Sequence, residues 1–191
     1  MRFSKEFRRV AFGAMVGAGA LLATSQALAA LTAFVSIKGV RQGQFKPEGV
    51  QRKDKWIPVV AFTFGAKSAR DVATGQPSGR RQYEPACLTK EWGPATPQIF
   101  QALSANEVLP EVVFEFDKTS REGTEYVYQT VKLTNATVAS VRQFTGHPAG
   151  DTRAATAEAQ NLEEVCFTFQ KVEITNNDGK TAFMDDWRAT P

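Results

Sequence analysis

From Glu111 to Phe144 the chain reads EVVFEF (111–116), EYVYQTVKL (125–133) and ATVASVRQF (136–144), three segments in which apolar and polar residues alternate. Successive side chains of an extended strand leave opposite faces, so a repeat of two marks strands with one face on a core. The same period extends outward in both directions. Upstream, Ala33, Val35 and Ile37 alternate with Phe34, Ser36 and Lys38, and Trp56 to Phe64 (WIPVVAFTF) and Arg80 to Lys90 (RRQYEPACLTK) follow. Downstream comes Val165 to Thr175 (VCFTFQKVEIT). Turn signals punctuate the run at Lys46-Pro47-Glu48-Gly49, Gln76-Pro77-Ser78-Gly79, Arg121-Glu122-Gly123 and Asn176-Asn177-Asp178-Gly179. Short strands in this number, without alternating helices, predict an all-β antiparallel sandwich or small barrel rather than a parallel α/β sheet.

One segment departs from that period. Thr96-Pro97 is a helix entry, because a threonine hydroxyl caps free amides and proline in the first turn lacks only a donor that would be unpaired there. Ile99, Phe100 and Leu103 share a face beyond it, and the spacing predicts a short flanking α-helix over about residues 96–108 that lays this stripe on the sheets. These groups read as core rather than as a ligand site.

The 191 residues are 42% apolar and 23% charged, with 14 Phe, 3 Trp and 3 Tyr, which is the composition of one ordinary globular domain with a sizeable core. The formal charge of +3 is too small and too scattered for a nucleic-acid binder. A single histidine, His147, and two cysteines leave too few ligands for a zinc site, so no metal or cofactor is expected.

Residues 1–29 read as a signal peptide. Arg2, Lys5, Arg8 and Arg9 form a basic head, Val10 to Ala23 is uncharged and apolar, and Ala27-Leu28-Ala29 supplies the small-x-small site, placing cleavage between Ala29 and Ala30. Thr24, Ser25 and Gln26 interrupt the apolar run, which argues against an uncleaved membrane anchor. Arg8-Arg9 also fits a twin-arginine signal, although Ala11 stands where that motif has a bulky apolar residue. Cleavage leaves residues 30–191 as a single domain. It also removes four basic side chains and one acid, so the mature charge is balanced and the basicity belongs to the targeting segment. Cys87 and Cys166 both survive. In an oxidising compartment they are candidates for a disulfide, and two unlinked, half-buried thiols are the equal alternative.

No catalytic residue is predicted. His147 lies between Gly146 and Pro148 in a loop, and no nucleophile elbow accompanies it. Glu163-Glu164 and Asp185-Asp186 are adjacent carboxylates, which point to opposite faces of a strand and read as solvated surface. Arg52, Lys53 and Lys55 read as a solvated basic loop, and the stretch from Thr145 to Gln160, without periodicity, as an exposed one. Asn135-Ala136-Thr137 matches a glycosylation triplet by composition alone. What remains is a chemistry of surfaces and strand edges, with no small-molecule substrate expected.

The order of segments carries a resemblance. Phe34 to Val40 (FVSIKGV) leads to Trp56 to Gly65, then to Gly79-Arg80-Arg81, Leu88-Thr89-Lys90 and the Thr96 to Ala102 helix, and the chain closes on Glu164 to Val172 (EVCFTFQKV) and Trp187. Over about residues 33–187 this resembles the Hcp (haemolysin-coregulated protein) family, the tube protein of type VI secretion systems. The resemblance implies a compact β-barrel of two sheets with one flanking helix. It also implies a homohexameric ring whose copies stack into a hollow tube that a contractile sheath drives outward, and a lumen that carries effectors. The family's loop between its second and third strands helps rings stack, and Ala66 to Ser78 corresponds to it here. The partners implied are further copies of the chain, with secreted effectors and other proteins of the apparatus. Tube-type members leave through the apparatus and carry no cleavable signal, whereas Met1 to Ala29 reads as one. A cleaved signal would make the protein secreted or periplasmic. The alternative function is therefore an exported barrel that acts as a binding module outside any tube.

Overall fold

The computed structural model describes residues 32–47, 55–145 and 161–188. The signal segment, Ala29-Ala30, His147, Arg52 and Lys53 lie outside the described residues. Among the described residues twelve strands and one helix follow in the order β1 (Thr32–Gly39), β2 (Gly43–Gln44), β3 (Ile57–Val59), β4 (Ala61–Thr63), β5 (Ala66–Arg70), β6 (Pro77–Tyr83), β7 (Ala86–Glu91), α1 (Thr96–Ser104), β8 (Leu109–Thr119), β9 (Glu125–Thr145), β10 (Asn161–Thr168), β11 (Lys171–Asn176) and β12 (Thr181–Asp186). All pairings are antiparallel.

The organising element is β9. The two periodic segments 125–133 and 136–144 form one strand of 21 residues that passes from one sheet into the other. Its first half pairs with β8 on one edge, from Thr119 opposite Glu125 to Leu109 opposite Ala136, and with β11 on the other. Its second half pairs with β10, Asn161 facing Thr145. The sheet order runs β2-β1-β8-β9-β10-β7-β4, with β11 and β12 continuing from the first half of β9.

The expected strand at Trp56 to Phe64 breaks at Val60 into β3 and β4. β3 pairs with β1 and β4 with β7, so this bent segment bridges the outer strands of the two sheets. Val60 sits at the bend, donating its amide to the Thr89 carbonyl at 2.8 Å. The seam therefore consists of two strands of three residues each.

Alternation puts Val35, Ile37, Val112, Phe114, Leu133 and Phe167 in the core. Phe62 joins them, its ring 4.6 Å from that of Phe114. β8 keeps its alternation as far as Phe116, where a bulge shifts the register and lets Asp117 turn inward.

The helix is shorter than its sequence predicts, ending at Ser104 rather than 108. Asn106 takes the left-handed conformation at φ 47°, a geometry that asparagine tolerates just beyond a helix end. The start also differs. Ala95 is the cap and Thr96 is already helical, so its hydroxyl caps no helix amide. That hydroxyl instead accepts from the Gly93 amide at 3.0 Å and donates to Glu163 Oε1 at 2.9 Å. Ile99 and Ala102 are the buried helical residues, and Phe100, expected in the core stripe, is turned about 100° from Ile99 and 37% exposed. Ile99 joins the barrel core and α1 lies on β9.

Strands β2, β5 and β12 fall outside the segments whose alternation predicts strands. Thr181–Asp186 forms β12 after the Asn176 to Gly179 turn, in which Asn176 Oδ1 accepts the Gly179 amide at 2.7 Å. The segment expected as a loop over Ala66 to Ser78 holds β5 and the turn of the β5–β6 hairpin, and the strand expected over Arg80 to Lys90 is divided at Glu84-Pro85 between β6 and β7. Strand β6 ends there: the Glu84 amide makes the last bond of the hairpin, to the Gly65 carbonyl at 2.9 Å, and Pro85 has no donor to continue it.

Candidate functional site

The functional features of this chain are surfaces, and the most prominent is the β5–β6 arm. Among the described residues these two strands pair only with each other and form a separate sheet. Every residue from Pro77 to Gln82 is exposed, and Val72 at the tip is fully exposed. The tip is built on Asp71, whose Oδ1 accepts the Ala73 and Thr74 amides and the Thr74 hydroxyl at 3.1, 2.8 and 2.8 Å. Those Thr74 bonds hold the Asp71 carboxyl below its usual range. Gly75 closes the turn at φ +70°, which a side chain would strain.

At its root the arm meets the end of the chain. Arg81 grips the carboxylate of Asp185 through Nε and Nη2, and the Tyr83 hydroxyl donates to the same carboxylate at 2.5 Å. The Arg81 contact holds the Asp185 carboxyl below its ordinary range. Burial, with the Asp185 charge beside it, pushes the Tyr83 phenol up. Asp185 was expected on solvated surface, yet its side chain is only 13% exposed. Asp186 points elsewhere and accepts the Arg188 amide at 2.8 Å. Beside this contact Tyr83, Glu84, Pro85, Thr168, Phe169 and Trp187 line a cavity of about 300 Å³.

β12 is a second assembly feature. Among the described residues it pairs only with β11, and Phe183 and Met184 are exposed on it. An edge of this kind, with apolar side chains, is a surface on which another chain can dock. Trp92 is also partly exposed, while its indole N–H donates to the Leu162 carbonyl at 2.8 Å.

Glu163, also expected on the surface, is fully buried. It faces Lys90 Nζ at 3.2 Å, accepts from Thr96 and receives a bond from Gln143 Nε2 at 3.2 Å. Its neighbour Glu164 points outward, toward Arg142 at 3.6 Å. The alternation that separates the two carboxylates therefore holds, and the sequence alone does not tell which of them faces in. Cys87 and Cys166 stand directly opposite each other in the β7–β10 register, with the sulfurs 2.10 Å apart. Among the described residues there is no cluster of three or more His, Cys, Asp or Glu able to hold a metal ion. No helix among them is long and apolar enough to cross a membrane.

An antiparallel barrel with a detached hairpin and an apolar edge strand has the architecture of an assembly protein. The chain belongs to the Hcp family, described as "Type VI secretion system effector, Hcp", which matches residues 34–175. It is a type VI secretion tube subunit by family, and that family is one of structural secretion proteins. It is 30% identical over 170 residues to the "Major exported protein" of Pseudomonas aeruginosa, a match that covers 84% of this chain and 97% of that one. Among solved structures it is similar to an Hcp1 mutant from Escherichia coli EAEC 042, with 26% identity, a TM-score of 0.70 and coverage of 83% of this chain and 99% of that one. The secreted protein Hcp3 from Pseudomonas aeruginosa matches at 24% identity and a TM-score of 0.63, over 84% of this chain and all of that one. The predicted two-sheet antiparallel fold with one flanking helix is the fold these structures share. Self-assembly and export through the secretion system follow from the family.

Proposed function

We propose that residues 30–191 form a homohexameric ring and that rings stack through the β5–β6 arm into a tube that carries secreted effectors. The observation that carries this reading is the arm itself. A two-stranded hairpin is marginally stable alone, and this one keeps nearly all of its surface in solvent, as a contact awaiting a second copy would. A head-to-tail contact that turns one sixth of a circle closes into a ring, and the β12 edge supplies a surface for it. Native mass spectrometry of residues 30–191 should give six times the protomer mass, and electron microscopy should show rings stacking with concentration. A strict monomer at high concentration overturns the ring.

A second reading is favoured by Cys87 and Cys166. Disulfides persist in oxidising compartments and are rare in the cytoplasm. With residues 1–29 removed as a signal between Ala29 and Ala30, the protein is an exported barrel, secreted or periplasmic, that binds partners outside a tube. N-terminal sequencing of the native protein separates the two. A mature start at Ala30 supports export by the signal, and an intact Met1 in the cytoplasm supports the tube.

A further inference from the structure

The arm leaves the body through two covalent joins, after Phe64 and before Pro85, and among the described residues its strands find no partner in either main sheet. Backbone pairing therefore does not set its direction. Side chains at its root do. Arg81 and Tyr83, on β6, both converge on one carboxylate of β12, more than a hundred residues further along the chain. Arg81 Nη2 also reaches the Asp186 carbonyl at 3.4 Å. The Tyr83 ring is wedged between Phe64, stacked at 5.9 Å, and Phe169 and Trp187, at 5.6 and 5.7 Å. Trp187 itself donates its backbone N–H to the Gln170 carbonyl at 3.0 Å.

We propose that Asp185 is a positioning residue: it fixes the direction in which the β5–β6 arm leaves the barrel, with Arg81 and Tyr83 as its two donors. A guanidinium that holds both oxygens of a carboxylate fixes a plane as well as a distance, which a lysine ammonium does not. The phenol on the same carboxylate adds a second direction, so the root is held from two sides. With Arg81 41% exposed, the contact adds little to global stability and acts on orientation. For its consequence in assembly this inference rests on the arm being the contact between rings. The geometry at the root does not.

The test uses residues 30–191 as wild type, Asp185→Asn and Arg81→Lys. Amide exchange is followed in peptides covering 66–83 and, as control, 125–136, together with ring mass and stack length by electron microscopy. In both variants exchange in the arm should rise about fivefold, with the control strand and the ring mass unchanged and the stacks shorter. Unchanged arm exchange in both variants overturns the proposal, and so does a rise that spreads equally to 125–136. Faster arm exchange with stacks of normal length upholds the positioning role and removes the arm from ring stacking. If wild-type rings do not stack at all, the stacking reading falls, and arm exchange alone decides the role of Asp185.

Discussion

Lys90 Nζ lies 3.2 Å from Glu163 Oε1, with both side chains wholly withdrawn from solvent. The pair joins β7 to β10 at the mouth of the helix, since the same carboxylate takes the Thr96 hydroxyl. Removing one member leaves a buried charge without its partner, which costs about 3–5 kcal/mol. Glu163→Gln and Lys90→Met should each lower the unfolding free energy measured in urea by that amount. The double variant Lys90→Met/Glu163→Leu should recover most of the loss, because a well-packed apolar pair avoids desolvating two ions. Double-mutant denaturation curves check both outcomes.

Glu107 gives the fold an acid-sensitive point. Burial pushes its carboxyl up, but the bonds it accepts from Gln42 Nε2 (2.9 Å), the Gln42 amide (3.0 Å) and the Arg41 amide (2.6 Å) outweigh that and hold it below its ordinary 4.5. A carboxyl depressed in the folded state contributes stability that is complete above 4.5 and is lost as pH falls through the folded value. Wild type should therefore exceed Glu107→Gln in stability near neutrality, and the gap should close as pH is lowered from about 4.5. Denaturation midpoints of both proteins across that range test the sign.

The same carboxylate makes Gly39 irreplaceable. A Cβ there would stand 2.4 Å from Glu107 Oε1 and 3.2 Å from the ring of Phe45, which is fully buried. Glu107 cannot swing aside without releasing the Arg41 and Gln42 amides. Gly39→Ala should cost about 1–3 kcal/mol, and Gly39→Ala/Glu107→Ala less than the two single losses combined. Thermal melts of the three variants decide it.

If the Cys87–Cys166 pair is oxidised in the native protein, thiol titration of unfolded material should find no free thiol. Residues 79 apart enclose a long loop, and releasing such a link costs about 2–5 kcal/mol. Reduction, or Cys87→Ser/Cys166→Ser, should lower the melting temperature accordingly. Two titratable thiols in protein purified under non-reducing conditions refute the link.

The alternation legible in EVVFEF and VCFTF located the central strands, because burying one face of a sheet leaves a trace at every second residue. The arm left no such trace. With both faces in solvent, Ala66–Arg70 has no reason to alternate and reads as a loop, while Arg80 to Tyr83 reads only as the head of a strand that continues to Lys90. β12 was hidden for the same reason. Asp185 and Glu163 were assigned to solvent because a carboxylate announces nothing about the cation it will meet. Arg81 and Lys90 lie far from them in sequence, and only the fold brings them together. Phe100 shows the opposite error, a large apolar residue assigned to the core that stands half outside it.

Strand β9 has one backbone and two neighbourhoods. Since its 21 residues are shared by both sheets, neither half of the barrel can melt while the other stays intact, and heat or urea should dissolve the body in one cooperative step. The arm, joined through Arg81 and Tyr83 rather than through that strand, is the part free to loosen first.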